Sequence, residues 1–246
     1  MIKILTVIAA LLTVTMVSAR EIVRIPVCES PPFLGKNLKH HGMLVDITAR
    51  AFAEVGIKTE FGFFPCTRAF EYIRKGTWDA MPGWGHGAGR EDIFYYTDSL
   101  NITSMHFFHL KSLKFDWEKP GDLAGLRIGI TKGYNYGPQF EELKSKNIII
   151  TETVVSDELN LRKLLMGRFD IVPMEVIPAK YMMNKIFTPE EIDTITFHPK
   201  PVRQYGNHVI ISRELGERGV FLVEQFNIGL SILREKGIIR QILEGD

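Results

Sequence analysis

One seven-residue pattern constrains this chain more than any other feature, because it occurs twice. Gly76-Thr77-Trp78-Asp79-Ala80-Met81-Pro82 and Gly167-Arg168-Phe169-Asp170-Ile171-Val172-Pro173 both read glycine, any residue, aromatic, aspartate, two apolar residues, proline. Each copy follows a helical stretch that its glycine ends, and each opens a short apolar strand. Upstream of the first copy, Glu21–Val27 alternates as a strand. Met43–Val55 then carries a helical stripe of Leu44, Ile47, Ala51 and Val55, and Ile57–Phe64 alternates again. Upstream of the second copy the order repeats. Arg127–Thr131 reads as a strand, Pro138–Lys146 as a helix with proline in its first turn, and 148–154 as a strand. Ser156 then caps a helix whose first turn holds Asp157 and Glu158. Two β-α-β-α-β units predict an α/β protein of two lobes, each a mostly parallel sheet flanked by helices. Open α/β sheets bind ligands beyond the carboxyl ends of their strands, so two such lobes facing each other would bury a ligand between them.

The copies diverge where they should meet a ligand. After the first, Pro82 is expected to end the strand, and Gly83, Gly85, Gly87 and Gly89 form a loop with few side chains, carrying Trp84 and leading to Arg90. Glycine lets a backbone approach a ligand closely, and an arginine offers a fork of donors that matches a carboxylate. After the second copy come Met174 and Glu175. One lobe thus offers an aromatic and a cation, the other a carboxylate. Arg68, early in the helix that follows Pro65, is a candidate second anion contact. Gly83-Trp84-Gly85-His86-Gly87-Ala88 also fits a dinucleotide fingerprint, but it follows the third strand of its unit and does not open a helix, so it is discounted. The seven histidines include no pair at metal-site spacing, and no nucleophile elbow or P-loop lysine is present. No metal, cofactor or catalytic residue is expected.

Composition narrows the partners. Lys plus Arg is 30 and Asp plus Glu is 29, for a formal net charge of +1, which gives nucleic acid no electrostatic footprint. The first residues read as a secretory leader: Met1-Ile2-Lys3 is a short basic start, Ile4–Val17 an apolar run, and Val17-Ser18-Ala19 a small-residue cleavage site. Cleavage after Ala19 and a periplasmic location are expected. Cys28 and Cys66 are the only cysteines; export permits a disulfide, but spacing alone does not show that they meet. Residues 195–197 and 208–212 read as separate strands with a crossing at Pro199–Pro201, and Val220–Lys236 as an amphipathic helix returning to the first lobe. The expected division is a leader at 1–19, a first lobe of 20–108 plus 205–246, and a second of 109–204. The two crossings between lobes would form a hinge.

With these residues in hand, the chain resembles the family 3 periplasmic solute-binding proteins that feed amino-acid ABC importers. The likeness rests on the G-x-L-x-D-I helix start at Gly42, the W-D-A strand, the arginine followed by YTDSL, the R-I-G-I-T-K-G-Y-N run from Arg127 to Asn135, and the L-x-x-G-R-x-D segment before Glu175. It implies a type II two-lobe fold that closes on an amino acid or related carboxylate. By the same resemblance Arg90 would clamp the α-carboxylate and Glu175 the α-amine, with Gly133, Tyr134 and Asn135 as a second contact to the carboxylate. A monomer and a permease partner in the inner membrane are expected. The sequence departs from the family pattern in a shorter loop before Arg90 that lacks serine and threonine. The usual stacking aromatics are also absent near Ser30 and Cys66, where Trp84, Tyr134 or Phe33 could substitute. Two alternatives share the fold: a cyclohexadienyl dehydratase-like enzyme with Glu175 as general acid, and a stand-alone ligand sensor.

Overall fold

The computed structural model describes residues 21–87, 89–134 and 136–244; the expected leader and the candidate Asn135 lie outside the described residues. In chain order the first half gives β1 (Ile22–Val27), α1 (Met43–Glu54), β2 (Lys58–Phe63), α2 (Cys66–Arg74), β3 (Ala80–Trp84) and β4 (Phe94–Tyr96). Strand β5 (Asn101–Leu110) leads to the second half: β6 (Arg127–Thr131), α3 (Pro138–Ser145), β7 (Ile150–Val154), α4 (Asp157–Leu165), β8 (Val172–Glu175), α5 (Val176–Ile186) and α6 (Pro189–Asp193). Strand β9 (Ile195–Ser212) returns, followed by α7 (Glu217–Glu235) and α8 (Ile238–Glu244).

Each half opens with a parallel pair, β1 with β2 and β6 with β7. The repeated segment then comes alongside: the Asp79 N–H donates to the Arg24 carbonyl at 2.9 Å, and the Gly129 N–H donates to the Ile171 carbonyl at 3.1 Å. Beyond it the partners are antiparallel. β9 pairs with β3 and β4, β8 pairs with β5, and β5 and β9 pair with each other from Asn101↔Asn207 to Leu110↔Ile195. The carboxyl ends of β1, β3, β6 and β8 therefore point toward one region between the halves.

Alternation and helical stripes produce separate cores. In the first half Val23, Ile25 and Val27 of β1 pack with Leu44, Ile47 and Phe52 of α1 and with Phe226 and Leu230 of α7. In the second, Phe107, Ile128, Ile130 and Phe140 form one cluster, and Phe108, Leu161, Leu164 and Phe169 another. Burying each large apolar side chain stabilises by roughly 1.5–3 kcal/mol relative to exposure. α7 reaches α1 only because residue 229 is glycine: a Cβ there would lie 1.9 Å from the Ala51 carbonyl oxygen. The Ser156 hydroxyl accepts from the Leu159 N–H at 3.3 Å, capping α4 as its sequence predicts.

Four local expectations change. Pro82 does not end its strand; β3 continues through Gly83 to Trp84 across a register shift. Proline lacks the ladder donor but is tolerated at a bulge, and Gly83, with φ of 88°, supplies one. The segment expected as two strands and a crossing is one strand, β9, of 18 residues. β8 begins at Val172, later than the expected Phe169. Helix α5 was not expected at all. The open question of the cysteines is answered: Cys28 and Cys66 form a disulfide that ties the end of β1 to the first turn of α2.

Candidate functional site

A cavity of about 860 Å³ opens between the strand ends. Its first-half wall includes Glu29, Phe33, Gly83, Trp84 and Arg90; its second-half wall includes Gly133, Tyr134, Asp157 and Glu175; Met105, Arg203 and Tyr205 come from the paired strands β5 and β9. Six of the residues singled out from sequence are thereby brought together: Gly83, Trp84, Arg90, Gly133, Tyr134 and Glu175. Arg68 is exposed in the first turn of α2 and is not among the lining residues.

The glycine loop holds Arg90 rather than merely preceding it. The guanidinium donates to the Gly85 carbonyl at 3.3 Å, and its carbon sits 5.0 Å from the centroid of a Trp84 ring. A Cβ on Gly87 would lie 3.2 Å from Nη1, so a bare loop leaves room for this packing. Arg90 is half-buried and, among the described residues, makes no ion pair with a carboxylate. Its neighbour Glu91 instead takes His86, at 3.1 Å. The His86 ring in turn stacks on Tyr96 at 4.2 Å. An arginine held over a tryptophan face with free donors is a ready anion site.

Glu175 stands where β8 passes into α5. Its carboxylate accepts from the Thr103 hydroxyl at 2.9 Å and from the Tyr205 hydroxyl. Both partners are neutral donors; no cation pairs with Glu175 among the described residues. Burial, and then the charge of Glu175, push the Tyr205 hydroxyl well above the usual tyrosine range, so it stays a donor. The ring of Tyr205 also carries Arg203, whose guanidinium carbon lies 4.7 Å from the ring centroid.

A second set of bonds shapes the wall beside it. Asp157 accepts from the Thr131 hydroxyl at 2.5 Å and from the Tyr134 hydroxyl at 2.9 Å, and the buried Asn160 amide donates to Thr131 at 2.8 Å. The ring of Tyr134 stands in the cleft while its hydroxyl turns inward, where desolvation first and the Asp157 charge second raise its pKa. The Tyr136 hydroxyl accepts from the Thr131 N–H at 2.6 Å, and burial pushes its pKa up to about 12. Thr131, before Gly133 and Tyr134, and Tyr136, after them, are thus joined to each other. On the first-half wall Glu29 follows the disulfide-bonded Cys28, and its carboxylate accepts from the Lys36 N–H at 2.9 Å.

Sequence reading missed Thr103, Asp157, Arg203 and Tyr205 as site residues. One signal was there: Arg203 and Tyr205 alternate, which on a strand puts them on one face. Reading separate strands at 195–197 and 208–212, with a crossing at Pro199–Pro201, hid it. Phe33, named as a substitute aromatic, lines the cleft and is 5 % exposed. Among the described residues no group of three or more His, Cys, Asp or Glu could hold a metal ion. None of their helices is long and apolar enough to cross a membrane.

No family model matches the sequence, and no curated protein matches it. Solved structures do. The second substrate-binding domain of a putative amino acid ABC transporter from Streptococcus pneumoniae superposes with a TM-score of 0.70 at 18% identity, over 92% of this chain and 98% of that one. The substrate-binding domain 2 of Lactococcus lactis GlnP, in its open conformation, gives 0.70 at 19% identity, over 93% and 97%. A histidine kinase sensor domain similar to periplasmic binding proteins gives 0.67 at 19% identity, over 91% and 94%. Paired with the strand order and the cleft between two halves, these likenesses establish the architecture: the chain has the type II periplasmic-binding-protein fold.

Proposed function

We propose that this protein is a periplasmic solute-binding protein that captures a small zwitterion, an amino acid or a related carboxylate, by closing its two lobes over the cleft. The observation that carries the reading is a pair of unneutralised charges on opposite walls. Among the described residues Arg90 has donors to spare and no carboxylate partner, and Glu175 is held by two hydroxyls and no cation. Closing the cleft over either charge by itself would be costly, and a ligand bearing both complementary charges removes the cost at each wall. Trp84, Phe33 and Tyr134 supply the aromatic surface. A hinge where the paired strands β5 and β9 run between the halves would let the cleft close. After export the loaded protein would deliver its ligand to an ABC permease.

Calorimetry on protein freed of co-purified ligand, against the standard amino acids, is the direct test. Binding by at least one member is expected; Arg90→Ala should weaken it roughly 100-fold, since a bidentate charge-assisted contact is lost. Failure of every member, and of γ-glutamyl-phenylalanine as a related carboxylate, to bind would overturn the reading.

The likeness to a kinase sensor domain supports a second reading, in which the closed form signals to a membrane receptor instead of a permease. Binding is common to both; growth of a deletion strain on the identified ligand separates transport from sensing. Turnover of a prephenate- or arogenate-like substrate, lost in Glu175→Gln, would favour the dehydratase alternative instead.

A further inference from the structure

Helix α5 gives the cleft a second dimension. Pro178, Tyr181, Met182, Lys185 and Ile186 all line it. Their spacing is that of one helical face, and it runs about 12 Å along the axis away from Glu175. Beside the stripe Ala179 and Met183 are buried in the second-half core, and Met182 and Ile186 pack one side against that core while the other lines the cleft. The helix also touches the first half, through Ile177, which packs against that core. The stripe therefore remains a cavity wall even where the two halves already meet. Four of its residues are half-buried and apolar or aromatic; the fifth, Lys185, is exposed near the far end, with its ammonium 4.4 Å from the Tyr181 ring centroid. Lys185 makes no ion pair among the described residues. Before the lobes close, the cavity of about 860 Å³ leaves room along α5 beside the space between Arg90 and Glu175.

We infer that the ligand is an amino-acid head with an extended arm that ends in an anion, as in a γ-glutamyl dipeptide. This rests on the reading above, in which Arg90 and Glu175 hold a free α-carboxylate and α-amine. A γ-linkage leaves both of those groups free and sets a second carboxylate at the end of an arm. The arm lies along α5, an apolar residue at its end meets Tyr181 and Met182, and the distal carboxylate meets Lys185. Methionine sulfur beside an aromatic ring is a favourable contact, so an aromatic second residue suits this wall best.

The probe is γ-glutamyl-phenylalanine, compared by calorimetry with free glutamate, free phenylalanine and the other standard amino acids. The dipeptide is expected to bind at least about tenfold more tightly than any single amino acid, through the added ion pair and apolar contact. In Lys185→Glu that ratio should fall to near one; this residue is exposed, so circular dichroism should show an unchanged fold. A dipeptide that binds no more tightly than a single amino acid overturns the inference and leaves the proposed function standing. An unchanged ratio in Lys185→Glu overturns the assignment of the distal anion. No binding by the dipeptide or any amino acid overturns both readings together.

Discussion

The two copies of the repeated motif build the same latch with unequal strength. In the second half, Asp170 accepts from the Arg127 N–H at 2.7 Å and from its guanidinium at 3.0 and 2.6 Å. In the first, Asp79 accepts from the Arg24 N–H at 2.7 Å and from its guanidinium at 3.3 Å. Each aspartate N–H donates back to the carbonyl of its arginine. Local sequence dictates that much. The difference comes from far along the chain: Arg218 of α7 donates to Asp79 at 2.9 Å and also holds Glu21, and Asp79 is fully buried where Asp170 keeps a fifth of its side chain exposed. A repeated motif thus fixes geometry, while tertiary return of the chain sets what that geometry is worth. Neither aspartate is a ligand group; each joins the third strand of its half to the first.

That inequality can be tested. Asp79→Asn should cost the most, about 3 kcal/mol in urea unfolding, because it leaves two guanidinium groups facing a neutral amide in a buried position. If it costs no more than the second-half change, the added arginine contributes nothing. Acid should show the same asymmetry. Hydrogen bonds from Arg218 and Arg24 outweigh the opposing effect of burial and hold the Asp79 carboxyl below its ordinary range; those from Arg127 do the same for Asp170. A carboxyl with a lowered folded pKa stabilises fully above its unfolded value near 4 and loses that contribution as pH falls through the folded value. The stability gap between wild type and Asp79→Asn should therefore be constant from pH 7 to 5 and shrink below about 4; a gap that widens there would contradict it. Asp170→Asn should cost less, about 1 kcal/mol, since solvent screens its arginine and the main loss is a charge-assisted bond to one backbone N–H. Smallest should be the coupling of Arg218 to Asp79, about 1 kcal/mol or less in a double-mutant cycle of Arg218→Gln with Asp79→Asn; the rest of the gap between the two aspartates comes from the deeper burial of Asp79.

The same distinction explains what was legible in the sequence. Strand and helix order, the α1 stripe, the Ser156 cap and the convergence of Arg90 with Glu175 depend on local periodicity and on the repeat, and they could be read. Helix α5 could not: Pro178 sits in its first turn, where proline is tolerated, but the residue looks like a breaker in a linear scan. Pro199 and Pro201 likewise suggested a crossing, whereas β9 accommodates them where its pairing with β5 shifts register. Arg203 and Tyr205 disappeared from view with that misreading. Arg68 is exposed in the first turn of α2 and is not among the cleft-lining residues. The disulfide required two strands' worth of geometry to recognise.

The unbroken run of β9 has an evolutionary and engineering consequence. One strand carries the partner of Glu175 at Tyr205 and, a few residues on, the core residues Val209 and Ile211 that pair with β3. On a strand, side is parity: removing or adding one residue between them would turn either the hydroxyl away from the cleft or Val209 and Ile211 onto the face where Ile210 packs with Met81 and Phe94. Length change in this segment is tolerated only in steps of two, or with a compensating bulge. Substitution, rather than insertion, is therefore the route by which the floor of this cleft can be retuned.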